Sequence, residues 1–275
     1  MFCFSDYIAA QTLHPVFQRI TTEDGLSSNK VESIIQDSRG FYWIATQNGL
    51  NRFDGTTFTV YRYDSTDSTS LSHNHCTALV EGPDGDIWIA TYKGVSHFKV
   101  STGKFERIYF QHPDRNFEVG NPFYNLVFDQ QGNLWLAGLA LFRYSIATRQ
   151  SEIFLPVRDD STSISDGNLI TQLVYDSVHQ GIWCTTGSVL NFYSLEKKVF
   201  YHRLHNPLHW SVLNEADGAE ITMDNELRLW FRKKSTQTLC VIDFEKNEIR
   251  DTGKKVIYGV KQISTDDQNR LWVFY

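Results

Sequence analysis

Tryptophan recurs along this chain at an almost fixed interval: Trp43, Trp88, Trp135, Trp183, Trp230 and Trp272, with successive spacings of 45, 47, 48, 47 and 42 residues. Most head a short apolar run, such as Trp43-Ile44-Ala45-Thr46, Trp88-Ile89-Ala90-Thr91 and Trp135-Leu136-Ala137-Gly138. A strand-rich repeat of about 40–50 residues is the mark of a β-propeller blade. The period constrains the fold before any local reading is made. It also points toward recognition, because repeated positions are scaffold and catalytic residues are not repeated.

A second landmark precedes the tryptophan. Asp37, Asp129, Asp224 and Asp266 each stand six residues before it, and Asp176 stands seven before Trp183. In the second repeat Gly82 takes this position. Three residues further on come Gly40, Gly85 and Gly132, with Asn269 in the last repeat. Asp followed by Gly or Asn is turn chemistry: the carboxylate accepts backbone N–H groups, and Gly or Asn tolerates positive φ. Three residues before the Asp position is an apolar residue: Ile34, Leu79, Leu126, Leu173, Ile221 and Ile263. Each unit therefore reads as strand, tight turn and a Trp-bearing strand. Two more follow, as in Gly49–Phe53 and Thr57–Tyr61. The expected fold is all-β: a propeller of four-stranded blades, about six of them present, with a seven-bladed ring in the full protein. A ring on the second strand can fill the wedge between blades, a burial worth on the order of 1.5–3 kcal/mol. Trp210 lies outside the pattern and is freer for another role.

Composition narrows the function. The net charge of −6 argues against a nucleic-acid platform. No run of 18 apolar residues is present to span a membrane. Cys3, Cys76, Cys184 and Cys240 form no Cys-x-x-Cys pair, and the last three fall in strands, where buried free thiols are the simple reading. Residues 1–12 read either as the remnant of an export signal, with Ala9-Ala10 before a polar start, or as a disordered tail. Residues 13–275 read as one partial propeller, with repeats near 26–70, 71–117, 118–164, 165–212, 213–254 and 255–275. The chain stops at Tyr275 inside the second strand of the sixth repeat, so a fragment of a longer protein or a shortened gene product is expected.

The first repeat, Asp24-Gly25-Leu26-Ser27-Ser28-Asn29 through Gly40-Phe41-Tyr42-Trp43-Ile44-Ala45-Thr46 and Gly49-Leu50-Asn51-Arg52-Phe53-Asp54-Gly55, resembles the two-component regulator propeller repeat. The second matches through Leu71-Ser72-His73-Asn74 and Gly85-Asp86-Ile87-Trp88-Ile89-Ala90-Thr91; later repeats match less, and the last two keep mainly Asp and Trp. The resemblance implies the periplasmic sensor region of a hybrid two-component sensor histidine kinase. It implies an oligosaccharide ligand, control of glycan-utilisation genes, and the remaining blades and kinase of the same protein as partners. A homodimeric receptor follows from it too. This segment has no kinase motif, and neither catalysis nor a cofactor is expected in it.

In a propeller, the residues before the innermost strands and the loops between second and third strands share one face. That places Asn29, Asn74, Asn121 and Asn168 there, with Asn48 and Tyr92 on the loops. Sugars suit Asn, His and aromatic rings, so the candidate ligand-binding residues are Asn29, Asn48, His73, Asn74, Tyr92, Tyr124 and Trp210. The in-register repetition of Asn favours a structural cap instead, which makes the non-repeated His73, Tyr124 and Trp210 the sharper candidates. His202, His205 and His209 have loose ligand-like spacing, but no flanking set completes a metal site. Asp64, Asp67, Asp159 and Asp160 lie in polar loops that read as solvated, with a weak calcium site as the alternative. Two rival classes stand beside the sensor. A glycan-cleaving propeller would need paired carboxylates, and the displaced Asp37-Ser38-Arg39-Gly40 fails the sialidase repeat. A protein-interaction propeller would carry Gly-His and Trp-Asp signatures, which are absent.

Overall fold

The computed structural model describes residues 19–111, 122–167, 169–187, 189–214, 218–256, 262–265 and 271–274. Residues 1–12, Asn121, Asn168, Asp266 and Asn269, on which several expectations fall, lie outside that set. The strands group into sheets of consecutive antiparallel neighbours. Blade 1 is β1 (Val31–Gln36), β2 (Tyr42–Thr46), β3 (Gly49–Phe53) and β4 (Phe58–Tyr61). Blade 2 is β5 (Cys76–Glu81), β6 (Ile87–Thr91), β7 (Val95–Lys99) and β8 (Lys104–Ile108). Blade 3 is β9 (Asn125–Phe128), β10 (Asn133–Ala137), β11 (Leu141–Ser145) and β12 (Gln150–Phe154). Blade 4 is β13 (Ile170–Asp176), β14 (Gly181–Thr186), β15 (Val189–Ser194) and β16 (Val199–Tyr201). Blade 5 is β17 (Gly218–Met223), β18 (Leu229–Lys233), β19 (Thr238–Asp243) and β20 (Glu248–Lys255). A sixth sheet pairs β21 (Gln262–Thr265) with β22 (Leu271–Phe274). The first strands touch in order, β1 to β5, β9, β13, β17 and β21, so they are the innermost strands around a common axis. The architecture is the propeller that the tryptophan period requires.

The turn before each tryptophan does more than reverse the chain. The indole Nε1 of Trp43, Trp135, Trp183 and Trp230 donates to Asp37, Asp129, Asp176 and Asp224 at 2.9, 2.8, 2.9 and 2.7 Å. The other carboxylate oxygen accepts backbone N–H groups of the turn, as from Gln131 and Asn133 at Asp129. A buried indole N–H needs an acceptor, and the six-residue spacing supplies one. Burial works against ionisation of Asp37, Asp176 and Asp224, yet these bonds outweigh it and hold all three carboxyls below the usual range. The extra residue before Trp183 is absorbed in the turn, where Gln180 adopts φ +50°. In blade 5 Leu227 occupies the position of Gly40, Gly85 and Gly132, with φ +62°.

Trp43, Trp88, Trp135, Trp183 and Trp230 each fill the gap to the following blade. Trp43 shares a buried cluster with Leu79, Trp88 with Leu126, Trp135 with Leu173 and Trp183 with Ile221. Trp230 packs on Ile263 in the same way. The apolar residue of each inner strand is thus the lid on the preceding blade's indole. Ile34 is the exception, 53% exposed where Leu79 is 7%. Cys76, Cys184 and Cys240 are buried free thiols.

Candidate functional site

Where the inner strands begin, four blades enclose a cavity of about 330 Å³. Blade 1 contributes Glu32, Ser33 and Gln47, and blade 2 contributes His75, Thr77 and Tyr92. Blade 3 adds Tyr124 and Asn125, and blade 4 adds Thr171 and Gln172. The placement follows from strand geometry. Side chains alternate along a strand, so the residues just ahead of the inner-strand apolar positions Ile34, Leu79, Leu126 and Leu173 reach the axis and its rim. Gln47 and Tyr92 come from the loops between second and third strands, on the same face.

The polar and aromatic groups are organised. Gln47 Nε2 donates to Glu32 Oε1 at 2.8 Å, and His75 Nε2 lies 3.5 Å from the same oxygen. The His75 ring stacks on Tyr92 with centroids 3.8 Å apart and planes 14° apart. Tyr124 meets Tyr92 edge-on at 6.4 Å. Burial raises the Tyr124 hydroxyl above its usual pKa. His73 stands behind the stack, 6.2 Å from Tyr92, with Nδ1 accepting the backbone N–H of His75. Burial, followed by the charge of His75, lowers its pKa. The arrangement presents a flat aromatic surface beside an amide, a carboxylate and hydroxyls: groups that hydrogen-bond polyols and pack on their apolar faces.

Of the sequence candidates, Tyr92 and Tyr124 line this cavity and His73 supports it. The asparagines stand at its margin as caps. Asn29 Oδ1 accepts Thr22 N–H at 2.9 Å, and Asn74 Oδ1 accepts Tyr63 N–H at 2.7 Å. Asn48 is exposed, its Nδ2 directed at the Ser27 carbonyl. Trp210 lies elsewhere, among Trp183, Phe192 and Phe244 at 5.5, 5.2 and 5.2 Å and against His179. Those partners sit at the Asp-turn end of blades 4 and 5, opposite the cavity face. Glu32, Gln47, His75, Thr77, Asn125, Thr171 and Gln172 carried no repeated signal. Their common feature is a position one to four residues ahead of an inner-strand apolar position or on the loop between second and third strands.

The other polar clusters resolve simply. His202 Nε2 engages the Ser163 carbonyl at 3.2 Å, and His202 and His205 pair through their backbones. Among the described residues, His202, His205 and His209 form no metal-holding group. Asp64 and Asp67 accept from Thr66 and Thr69, and the Arg107 guanidinium donates to the Asp64 and Asp67 carbonyls. A cation already occupies that loop, and it is the protein's own. A larger cavity of about 690 Å³ lies against blade 5, lined by His179, Arg228, Phe244 and Lys246. It adjoins a sheet whose connecting residues are outside the described set. No helix among the described residues is long and apolar enough to cross a membrane.

Comparison with known proteins bears on these two blades first. The two component regulator propeller family matches residues 25–48 and 70–93, which hold Trp43 and Trp88. A histidine kinase of Formosa agariphila is 48% identical over 63 residues, 23% of this chain and 5% of that protein. The extracellular domain of a protein described as a hybrid two component system from B. thetaiotaomicron superposes with a TM-score of 0.56 at 22% identity. That match covers 93% of this chain and 40% of the other. An inactive variant of virginiamycin B lyase from Staphylococcus aureus superposes with a TM-score of 0.64 at 14% identity, over 89% of this chain and 77% of the lyase. The two structures share the fold with this chain. One is the extracellular domain of a two component system and the other a variant of a lyase, so the fold alone does not choose between binding and catalysis.

Proposed function

Starting from a chain that carries two-component regulator propeller repeats, we propose that it is the ligand-sensing propeller of a two-component sensor kinase, placed outside the cytoplasmic membrane. It acts by binding an oligosaccharide at the axial cavity, and no bond is broken there. In this reading residues 13–275 form one propeller segment, and residues 1–12 are a signal-peptide remnant or a disordered tail. The observation that carries it is the His75–Tyr92 stack flanked by Gln47 and Glu32, assembled from separate blades. Glu32 is the one carboxylate among the described residues lining the cavity. Glycoside hydrolysis uses two, roughly 5–10 Å apart, and Glu32 is already engaged by Gln47 and faced by His75. A glycan that prefers one arrangement of the receptor's domains shifts their population in proportion to that preference. The bias passes to the kinase of a homodimeric receptor and sets expression of glycan-utilisation genes.

The test is calorimetric titration of the full chain with neutral and acidic oligosaccharides, alongside chromatography of each sugar after prolonged incubation. Saturable binding to one class, lost in Tyr92→Ala, with the sugar recovered intact, is the expected result. Absence of binding across the panel would remove the sugar-sensor reading. Cleavage would move the protein to the enzyme class.

A further inference from the structure

Blade 2 departs from its neighbours at one place. Where the other described blades hold a carboxylate under the indole, blade 2 has Gly82, and Trp88 Nε1 is buried with no hydrogen-bond partner. Trp88 is 1% exposed. The space that a side chain at residue 82 would fill is bounded by two atoms. A Cβ there would lie 2.9 Å from Trp88 Nε1 and 2.8 Å from Asp84 Oδ1. The indole N–H is therefore aimed beside an acidic turn.

That turn inverts the pattern of the other blades. At the position of Asn133 or Arg228, which donate to their blade's aspartate, blade 2 places a second acid, Asp86. Across the strand pair from Trp88 stands His97, stacked on the indole at 4.0 Å and 11°. His97 Nε2 is 2.9 Å from Asp86 Oδ2, while Asp86 Oδ1 is taken by Val100 N–H. Ligand atoms of Asp84, Asp86 and His97 lie within 4.8 Å of one another. Among the described residues, no lysine or arginine ion-pairs with either aspartate.

We propose that Gly82, Asp84, Asp86, Trp88 and His97 form a divalent transition-metal site of the Zn²⁺ type on the Asp-turn face of blade 2. Two carboxylates exclude an anion, and the orphan indole donor needs an oxygen acceptor. A hydrated cation meets both conditions: carboxylates and imidazole bind the ion, and an ion-bound water oxygen accepts the Trp88 N–H. Tetrahedral ligands each about 2.1 Å from Zn²⁺ stand about 3.4 Å apart, so the His97–Asp86 pair, hydrogen-bonded at 2.9 Å, needs to open by only about 0.5 Å to admit the ion. The imidazole selects a zinc-class ion over Ca²⁺ or Mg²⁺. His97 Nδ1 lies 4.0 Å from Glu106 Oε2, beyond hydrogen-bond length, and that oxygen pairs with Lys99 at 2.9 Å. The site lies across the molecule from the sugar cavity, and its test is independent of that reading.

The full chain, stripped by a chelator and desalted, is titrated with ZnCl₂ and separately with CaCl₂ by calorimetry. One saturable Zn²⁺ per chain is expected, with no Ca²⁺ heat. Asp84→Asn, on an exposed turn, should weaken Zn²⁺ at least tenfold with an unchanged far-ultraviolet spectrum. Gly82→Ala, which fills the space beside the indole, should weaken it as well. No saturable Zn²⁺ heat would overturn the assignment, and so would wild-type affinity in both Asp84→Asn and Asp86→Asn.

Discussion

Replacing Asp129 by alanine tests what holds a blade's tryptophan in place. The Asp129 carboxylate accepts the Trp135 indole at 2.8 Å, the Gln131 and Asn133 backbone N–H groups at 2.9 Å each, and the Asn133 side chain. The indole is fully buried, so truncation leaves its donor without an acceptor. A hydrogen bond to a charged group contributes about 1.5–3 kcal/mol, and orphaning a buried donor costs a comparable amount. The turn N–H groups are less buried and regain water. The expected total is about 3 kcal/mol, a fall in Tm of roughly 6–12 °C for a chain of this size. Urea unfolding followed by tryptophan fluorescence would measure it. Trp135→Phe keeps a ring and removes the donor, so the double variant completes a cycle. A coupling of about 1.5–2 kcal/mol is expected for directly bonded partners. A loss below about 0.5 kcal/mol, or an additive cycle, would refute the claim that the carboxylate–indole bond fastens the blade.

Three further outcomes follow from the same geometry. Burial lowers the pKa of His73, His97 and His202 below the ordinary 6.5; the unfolded chain then binds more protons, so their stabilisation is full above that value and is lost as pH falls below it. Tm should decline from pH 7 to pH 5, and a flat or rising profile would contradict the assignment. Leu227 holds φ +62° in an exposed turn, so Leu227→Gly should stabilise by up to about 1 kcal/mol, read as a higher Tm. Leu79→Ala should cost about 2–4 kcal/mol as a buried lid, whereas Ile34→Ala at the equivalent but exposed position should cost under about 0.5 kcal/mol; equal losses in urea unfolding would show that Ile34 is covered in this chain.

The propeller was legible because its determinants repeat. Trp43, Trp88, Trp135 and Trp183 recur on the same strand of successive blades, and an aspartate before all of these but Trp88 marks the turn. The six-residue spacing also carried the carboxylate–indole bond, which turn chemistry alone did not suggest. Gly82 was visible as a departure, but its consequence was not, since Asp84, Asp86 and His97 converge only when β6 and β7 pair. The cavity was half legible. Tyr92 and Tyr124 stand out as aromatics at loop and strand starts, and of the repeated asparagines Asn29 and Asn74 cap the chain. Glu32 and Gln47 come from blade 1 and Gln172 from blade 4, and they share no periodic signal. Trp210 shows the converse: an unrepeated aromatic that the 3-10 turn Ser211–Asn214 helps fold back against Trp183, into the core.

The central claim is that a glycan at the axial cavity controls a kinase. The most direct measurement is autophosphorylation of the intact receptor in membrane vesicles, with and without an oligosaccharide that binds this chain. The account predicts a change in phosphorylation that saturates with the sugar and disappears in Tyr92→Ala, while the variant receptor keeps its basal level. Phosphorylation that ignores the bound sugar, or a response that survives Tyr92→Ala unchanged, would contradict it.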